Sequence, residues 1–356
     1  LGFYRVTYFA VKRKNEINEK LFTGTDDDYD HLNPYARIIV DEARRRGIHA
    51  EVTDAPGGFF RLTQGGRTIH CRESLSELTS AIAMSICDDK SVTRRTVEAA
   101  GVKVPEQMDA DVGDEAIAAF IETHGSIVVK PARGEQGRGI AVGIDNLEDA
   151  KTAIAAARQQ SDRVLLEACF NGEDLRLIVI DYRLVAAALR RPPHITGDGR
   201  SSVRELIEHL SRRRAAATGG ESRIPDDGET ARCVKNAGYD MDSVLPKGEW
   251  IAVRKTANLH TGGTIHDVTG EVHPTLVQAA IAAARAIEIP VTGIDLMVKD
   301  PRRPDYVFIE ANERPGLANH EPQPTAERFI DLLFPLSIPF SVRAARNQQQ
   351  KSRKDE

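Results

Sequence analysis

Cysteine is scarce in this chain. Cys71, Cys87, Cys169 and Cys233 are its only four among 356 residues, and no CxxC or CxxH spacing relates them. Zinc-binding and thioredoxin-like readings therefore have no support. Cys87 and Cys169 lie inside apolar runs and read as inert buried thiols. No run approaches the ~18–20 apolar residues that a membrane span needs. A charged-then-apolar N-terminal signal segment is also missing. Together these absences lead us to expect a reducing, cytoplasmic setting and no membrane partner. Nor is there an excess of positive charge: 48 Lys and Arg against 53 Asp and Glu give a formal net charge of −5, which argues against a nucleic-acid partner. Internal repeats are absent, as are GxxxxGK[ST] and a GxGxxG after a strand, so P-loop and Rossmann readings fail.

The remaining composition, 41% hydrophobic and 28% charged, is that of a globular chain able to bury a sizeable core. Its pattern is α+β, with stretches of α/β alternation. An aromatic and β-branched stretch, Gly2–Val11, reads as a strand. A helix is expected at 35–47, stopped by Gly47, followed by short strands at 48–53, 58–63 and 66–71. Helices are expected at 74–86 and 89–100, with Asp88 capping the second. Between 102 and 170 strands and helices alternate. A hairpin at 175–181 and 183–190 then precedes a helix opening on the capping box Ser202-Val203-Arg204-Glu205. Residues 211–248 are polar, as in a functional lid or a disordered insertion. An Ala-rich helix at 274–287, strands at 291–299 and 305–311, and a helix at 325–334 complete the pattern. The tail 343–356 is almost wholly polar and is expected to be unstructured.

Five segments carry chemistry. Strands 291–299 and 305–311 are joined by a short turn-like segment, so a symmetric hairpin sets Asp295 opposite Glu310, with Asn312 on the same face. Facing carboxylates repel. A cation between them relieves this, and Asp, Glu and Asn offer the hard oxygens that suit Mg²⁺ or Mn²⁺. The alternative is a solvated hairpin face. Second, Lys130 ends a strand before the loop Pro131–Arg138, where Gly134, Gly137 and Gly139 would let backbone N–H groups approach an anion. An ordinary turn has the same composition. Third, Lys90 opens a helix, where an anion would relieve its conflict with the helix dipole. Asp88 and Asp89 could offset it equally well. Fourth, Glu167 ends a strand seven residues before Asp174, a spacing that could serve a base amine and ribose hydroxyls. Fifth, Asn258-Leu259-His260-Thr261-Gly262-Gly263 is a loop rich in donors, or a plain surface turn.

The order of these elements resembles the ATP-grasp superfamily from about Asp88 to Pro335. Closer is a resemblance to the ligase domain of cyanophycin synthetases. It rests on Lys130–Ile140, on Arg191-Pro192-Pro193-His194-Ile195-Thr196-Gly197-Asp198-Gly199, on Arg254–Thr264, on Glu271-Val272-His273-Pro274 and on Gly293-Ile294-Asp295. Closest is the likeness of Glu310-Ala311-Asn312-Glu313-Arg314-Pro315-Gly316-Leu317-Ala318-Asn319-His320, with Glu73–Leu78 and Phe9–Asn15, to the N-acetylglutaminylglutamine synthetase family. That family joins a GNAT-type acetyltransferase to a ligase. Leu1–Val6 looks like the end of such a domain, or like a plain first strand, and the absence of an initiator Met fits a chain cut from a fusion.

The resemblance implies two α+β subdomains clasping ATP. The expected organisation is 1–25 as the tail of an upstream domain, 26–87 as a preceding region, and 88–170 as the N-subdomain. The C-subdomain would be 171–336 with an insertion at 191–248, and 337–356 a tail. Lys90 and Lys130 would bind phosphates under a lid formed by Gly134, Gln136, Gly137 and Gly139. Glu167, Ala168 and Phe170 would line the adenine pocket, Asp174 would hold ribose, and Asp295, Glu310 and Asn312 would hold two Mg²⁺ ions. Many ATP-grasp ligases carry an Arg two residues before the first metal Asp. Here that residue is Gly293, so the catalytic guanidinium falls to Arg254 or Arg190. Asn258, His260, Thr261, Gly262, Gly263 and His320 are the candidates for the acceptor site.

The reaction implied is ADP-forming amide synthesis through an acylphosphate, acting on small amino-acid or dipeptide substrates, in a chain that forms a homo-oligomer or stands alone. Three hypotheses compete: a ligase making a glutamine-type osmoprotectant dipeptide, a cyanophycin- or RimK-type polymerising or tailing ligase, and a nucleotide-binding regulatory module without turnover.

Overall fold

A computed structural model describes residues 26–133, 139–218, 220 and 222–338. The expected strand at Gly2–Val11 and the tail 343–356 lie outside them. The chain divides into two units, one formed by the N-terminal 80 residues together with those from Glu313 onward, the other by Ala81–Asn312. The expected C-subdomain of 171–336 is thus divided at Asn312.

In the first unit, helix α1 (Pro34–Arg45) is capped by Asn33, whose Oδ1 accepts from the Ala36 N–H at 3.0 Å. Its apolar face, Ala36, Ile39, Val40 and Ala43, follows the helical period and is fully buried. The helix ends before Gly47, which takes φ +72°. Strands β1 (His49–Asp54), β2 (Phe59–Gln64), β3 (Arg67–Arg72) and β4 (Leu75–Ser76) form an antiparallel meander. The expected helix at 74–86 begins only at Ala81, because Leu75 and Ser76 pair with β3. The last α-helix among the described residues, Thr325–Leu333, also belongs to this unit, tied to α1 by the half-buried Arg46. Arg46 reaches Glu42 at 2.5 Å and Asp331 at 2.6 Å.

The second unit holds two antiparallel sheets, each with one apolar and one polar face. Helices α2 (Ala81–Asp88) and α3 (Lys90–Ala99) precede β5 (Gln107–Asp109), α4 (Asp114–His124), β6 (Ile127–Pro131) and β7 (Ala141–Ile144). Helix α5 (Leu147–Arg158) and strand β8 (Val164–Ala168) complete the first sheet, whose order is β5-β8-β6-β7. Ile127, Val129, Val164 and Leu166 point one way, into a core shared with Ile117 and Ile121 of α4 and Ala150, Ile154 and Ala157 of α5. Strand alternation sends Glu167, Val128 and Lys130 the other way.

The second sheet has the order β13-β10-β9-β14-β15. It comprises β9 (Glu173–Ile180), β10 (Arg183–Arg191), β13 (Thr264–Asp267), β14 (Val291–Val298) and β15 (Tyr306–Asn312). Leu175, Leu177, Leu189, Ile294, Leu296 and Phe308 form its apolar face. Helix α8 (Pro274–Ile287) packs there through Leu276, Ala279, Ala280, Ala283, Ala284 and Ile287. Between β10 and β13 lies a small folded module, comprising β11 (His194–Thr196), α6 (Val203–Ala217), α7 (Gly228–Asn236) and β12 (Trp250–Ala252). Its own core contains Ile195, Val203, Ile207, Val234, Leu245 and Ile251. The polar segment 211–248 is therefore largely structured rather than a disordered insertion. Its sparse apolar residues are the ones that meet.

Candidate active site

The polar face of the second sheet is built by register. Asp295 pairs with Arg176 on one side and with Glu310 on the other, while Arg190 pairs with Asp174. Tyr306 and Phe308 point into the core, and unbroken alternation would send Glu310 after them. A β-bulge prevents this: Asp295 faces Glu310 but Leu296 faces Phe308, so Ile309 is the extra residue. It returns Ala311 to the core and puts Glu310 and Asn312 on the polar face.

Charged groups saturate this face. Arg176 grips Asp295 with two parallel hydrogen bonds, Nε to Oδ1 at 2.7 Å and Nη2 to Oδ2 at 2.6 Å. Arg190 donates to Asp295 Oδ2 at 2.7 Å and to both oxygens of Asp174 at 2.7 and 2.9 Å. Burial opposes ionisation of Asp295, which is only 2% exposed, but the two guanidiniums outweigh it and hold its carboxyl below the usual range. Asp174 is shifted the other way: burial raises its pKa, with Arg190 opposing and Asp295 adding to the rise. Burial works against the Arg190 charge too, yet Asp295 and Asp174 outweigh it and raise its pKa. Asp174, expected to hold ribose, accepts hydrogen bonds from Arg190.

Among the described residues no group of three or more His, Cys, Asp and Glu is gathered as for a metal ion. The donor set nevertheless fits a hard cation. The carboxylates of Asp174, Asp295 and Glu310 face the guanidiniums of Arg176 and Arg190, leaving one negative charge in excess. Asn312 uses its amide nitrogen toward the Gly293 carbonyl at 3.4 Å, which leaves its carbonyl oxygen as the acceptor end.

The first sheet contributes a second polar group. Lys130 and Glu167, each 4% exposed, form an ion pair at 2.5 Å. Gln107 donates to the same Glu167 oxygen at 3.2 Å. Helix α3 starts at Lys90 and is capped by Asp89, one residue later than the Asp88 cap expected from sequence. The Lys90 N–H donates to the carbonyl of Ala132, two residues past Lys130, at 3.1 Å. Gly134, Gln136 and Gly137 lie outside the described residues. Gly139 takes φ +72°, and a side chain there would press on Gln160 and Ala157. Ala168 ends β8, and the Phe170 ring lies 5.0 Å from Lys299 Nζ, which also caps the Asn171 carbonyl at 2.6 Å.

Other candidates have local structural work. Arg254, 6% exposed, bonds Asp227 at 2.8 Å, Thr230 at 2.9 Å and Glu229 at 2.5 Å, which fixes the start of α7. Its guanidinium is taken up by the module. Asn258 Oδ1 accepts from the His260 N–H at 2.9 Å, and Thr261 donates back to the Asn258 carbonyl at 3.1 Å. Gly262 takes φ +93°, where a side chain would sit 2.6 Å from Ile224, and a side chain on Gly263 would sit 2.8 Å from the Asn258 carbonyl. The loop is stitched to the module by the bond from the Arg223 N–H to the His260 carbonyl at 3.1 Å, and His260 itself is exposed. His320 is buried in the first unit.

Sequence reasoning missed Arg176 and Gln107. The signal for Arg176 was present: a strand beginning at Glu173 rather than 175 puts Asp174 and Arg176 on one face.

No protein-family model matches the chain. It is 35% identical over 318 residues to a cyanophycin synthetase of Nostoc sp., covering 85% of this chain and 35% of that protein. It is 27% identical over 323 residues to the glutathione biosynthesis bifunctional protein GshAB of Clostridium perfringens, covering 86% and 42%. The crystal structure of a bifunctional glutathione synthetase from Pasteurella multocida matches 86% of this chain and 44% of that one, with TM-score 0.61 and 25% identity. These likenesses support a relation of the chain to the ATP-grasp ligase superfamily. Its fold is the ATP-grasp fold of mixed helices and antiparallel sheets, and ATP-grasp ligases in general use ATP and Mg²⁺. It spans well under half the length of these curated relatives. No helix among the described residues is long and apolar enough to cross a membrane.

Proposed function

We propose that this chain is an ATP-dependent carboxylate–amine ligase that makes an amide bond through an acylphosphate, with N-acetylglutaminylglutamine as its product. The observation that carries the reading is the polar face of the second sheet. There a net-negative cluster of hard oxygen donors, with Asp295 held ionised by two guanidiniums, lies inside an ATP-grasp fold.

In this reading a substrate carboxylate oxygen attacks the γ-phosphorus of ATP and ADP leaves. An amine nitrogen then attacks the acyl carbon, loses a proton, and inorganic phosphate departs. Lys90 and Lys130 bind the phosphates; Glu167, Ala168 and Phe170 receive the adenine. Asp295, Glu310 and Asn312 would hold Mg²⁺, which when bound offsets phosphate charge. Arg176 and Arg190 keep Asp295 ionised and oriented. As Gly293 has no side chain, they also supply the positive charge facing the developing oxyanion. Asp174 steers Arg190.

Phosphate release from MgATP, with glutamine, N-acetylglutamine and other amino acids supplied singly and in pairs, tests the reading. Release that needs a carboxylate–amine pair, with a product one amide heavier than its parts, supports it. ATP binding without release under every pairing supports a regulatory module instead. A second product is favoured by the likeness to the Nostoc cyanophycin synthetase. A polymerising enzyme yields a mass ladder where a dipeptide synthetase stops at one addition.

A further inference from the structure

Glu167 lies on β8 between two neighbours: Gln107 is its cross-strand partner on β5, and Val128, two residues before Lys130, is its partner on β6. Lys130 and Gln107 both donate to a single oxygen, Oε2, at 2.5 and 3.2 Å. Two polar side chains, one from each flanking strand, therefore converge on a carboxylate that is almost fully buried. An ionised carboxylate only accepts hydrogen bonds. Two donors drawn to Oε2 fix the rotation of the group and turn Oε1 to the remaining direction on this polar face. Lys130 supplies the charge balance. Gln107 adds no charge, so its hydrogen bond contributes orientation.

We propose that Gln107 is a positioning residue for nucleobase selection, holding Glu167 so that Oε1 accepts a hydrogen bond from an exocyclic amine. The proposal rests on the nucleotide reading above. Adenine carries an amine donor at the position where guanine carries a carbonyl acceptor. A fixed acceptor rewards the first and meets the second acceptor to acceptor, leaving buried polar atoms unpaired. A carboxylate free to rotate about its last torsion loses much of this discrimination, because it can turn away from either base.

The test is equilibrium binding of MgATP and MgGTP to the full chain at pH 8 by calorimetry. The wild-type chain is expected to prefer ATP by at least about tenfold. In Gln107→Leu, and in the near-isosteric Gln107→Glu, ATP binding weakens about tenfold while GTP binding changes by less than about twofold. General damage to the sheet would weaken both nucleotides alike, so the ratio is the deciding quantity. If Gln107→Leu fails to fold, Gln107→Glu decides. An unchanged ratio in Gln107→Glu overturns the proposal and leaves the ligase reading standing. Wild-type chain that binds neither nucleotide overturns both.

Discussion

Arg176 holds Asp295 across adjacent strands by a two-pronged contact at 2.7 and 2.6 Å, and Arg190 closes on the same carboxylate from one strand further away. This geometry depends on the planar fork of a guanidinium, which an ammonium cannot reproduce. Arg176→Lys is expected to lower kcat/KM at least about tenfold, and Arg176→Met further. Because Arg190 still compensates Asp295, the stability cost of Arg176→Met should fall near the lower end of the ~3–5 kcal/mol typical of a broken buried pair. Steady-state phosphate release and denaturant melts check the two parts.

Glu310→Ala removes a carboxylate from a cluster that already has more acids than guanidiniums. Mg²⁺-dependent turnover should vanish while the melting temperature stays level or rises, since a repulsion with Asp295 goes with the ligand. A variant that retains Mg²⁺-dependent phosphate release would remove Glu310 from the site.

Lys130→Ala strips the buried Glu167 of its counter-charge, so both nucleotide affinity and stability should drop, the latter by about 3–5 kcal/mol. Adding Glu167→Gln should recover most of the stability and none of the affinity. Urea titration alongside nucleotide titration separates the two effects. If the double variant recovered both, Lys130 would have no part in binding.

Glu42 gives the first unit an acid-sensitive tie. Burial works against its charge, but hydrogen bonds from Arg45 and Arg46 prevail and lower its pKa below the ordinary 4.5. A carboxyl depressed in the folded state stabilises above its unfolded pKa, and that contribution is lost as pH falls through the folded value. Melting temperature should therefore decline as pH is taken from about 5 toward 3. Glu42→Gln should be less stable at neutral pH and show a shallower decline. Parallel pH profiles of the two chains would refute the tie.

Much of this architecture was legible in sequence because amphipathic periods and turn residues agree with the final packing. Helix 274–287 has the expected bounds, and Asp295 faces Glu310 as expected, although counting outward from the turn reaches that pairing only through the bulge at Ile309. What stayed hidden depends on partners distant in the chain. Leu75 and Ser76 stand in a stretch that reads as helical but pair with β3. Arg254 looked like a free guanidinium until α7 folded against it, and Asp174 and Arg176 acquire meaning only when β10 and β14 arrive on either side. The insertion misled because its few apolar residues are spread along a polar stretch, while their convergence is three-dimensional.

Ile309 makes β15 a strand with two phases, one serving the core as far as Phe308 and the other serving the cluster from Glu310 onward. Removing that one residue would leave an ordinary ladder, with Phe308 and Ala311 still inward and Glu310 and Asn312 still on the polar face. Composition and length thus matter less here than parity, and a change that forced Ile309 into regular alternation would turn Glu310 and Asn312 inward, silencing the cluster while deleting none of its members.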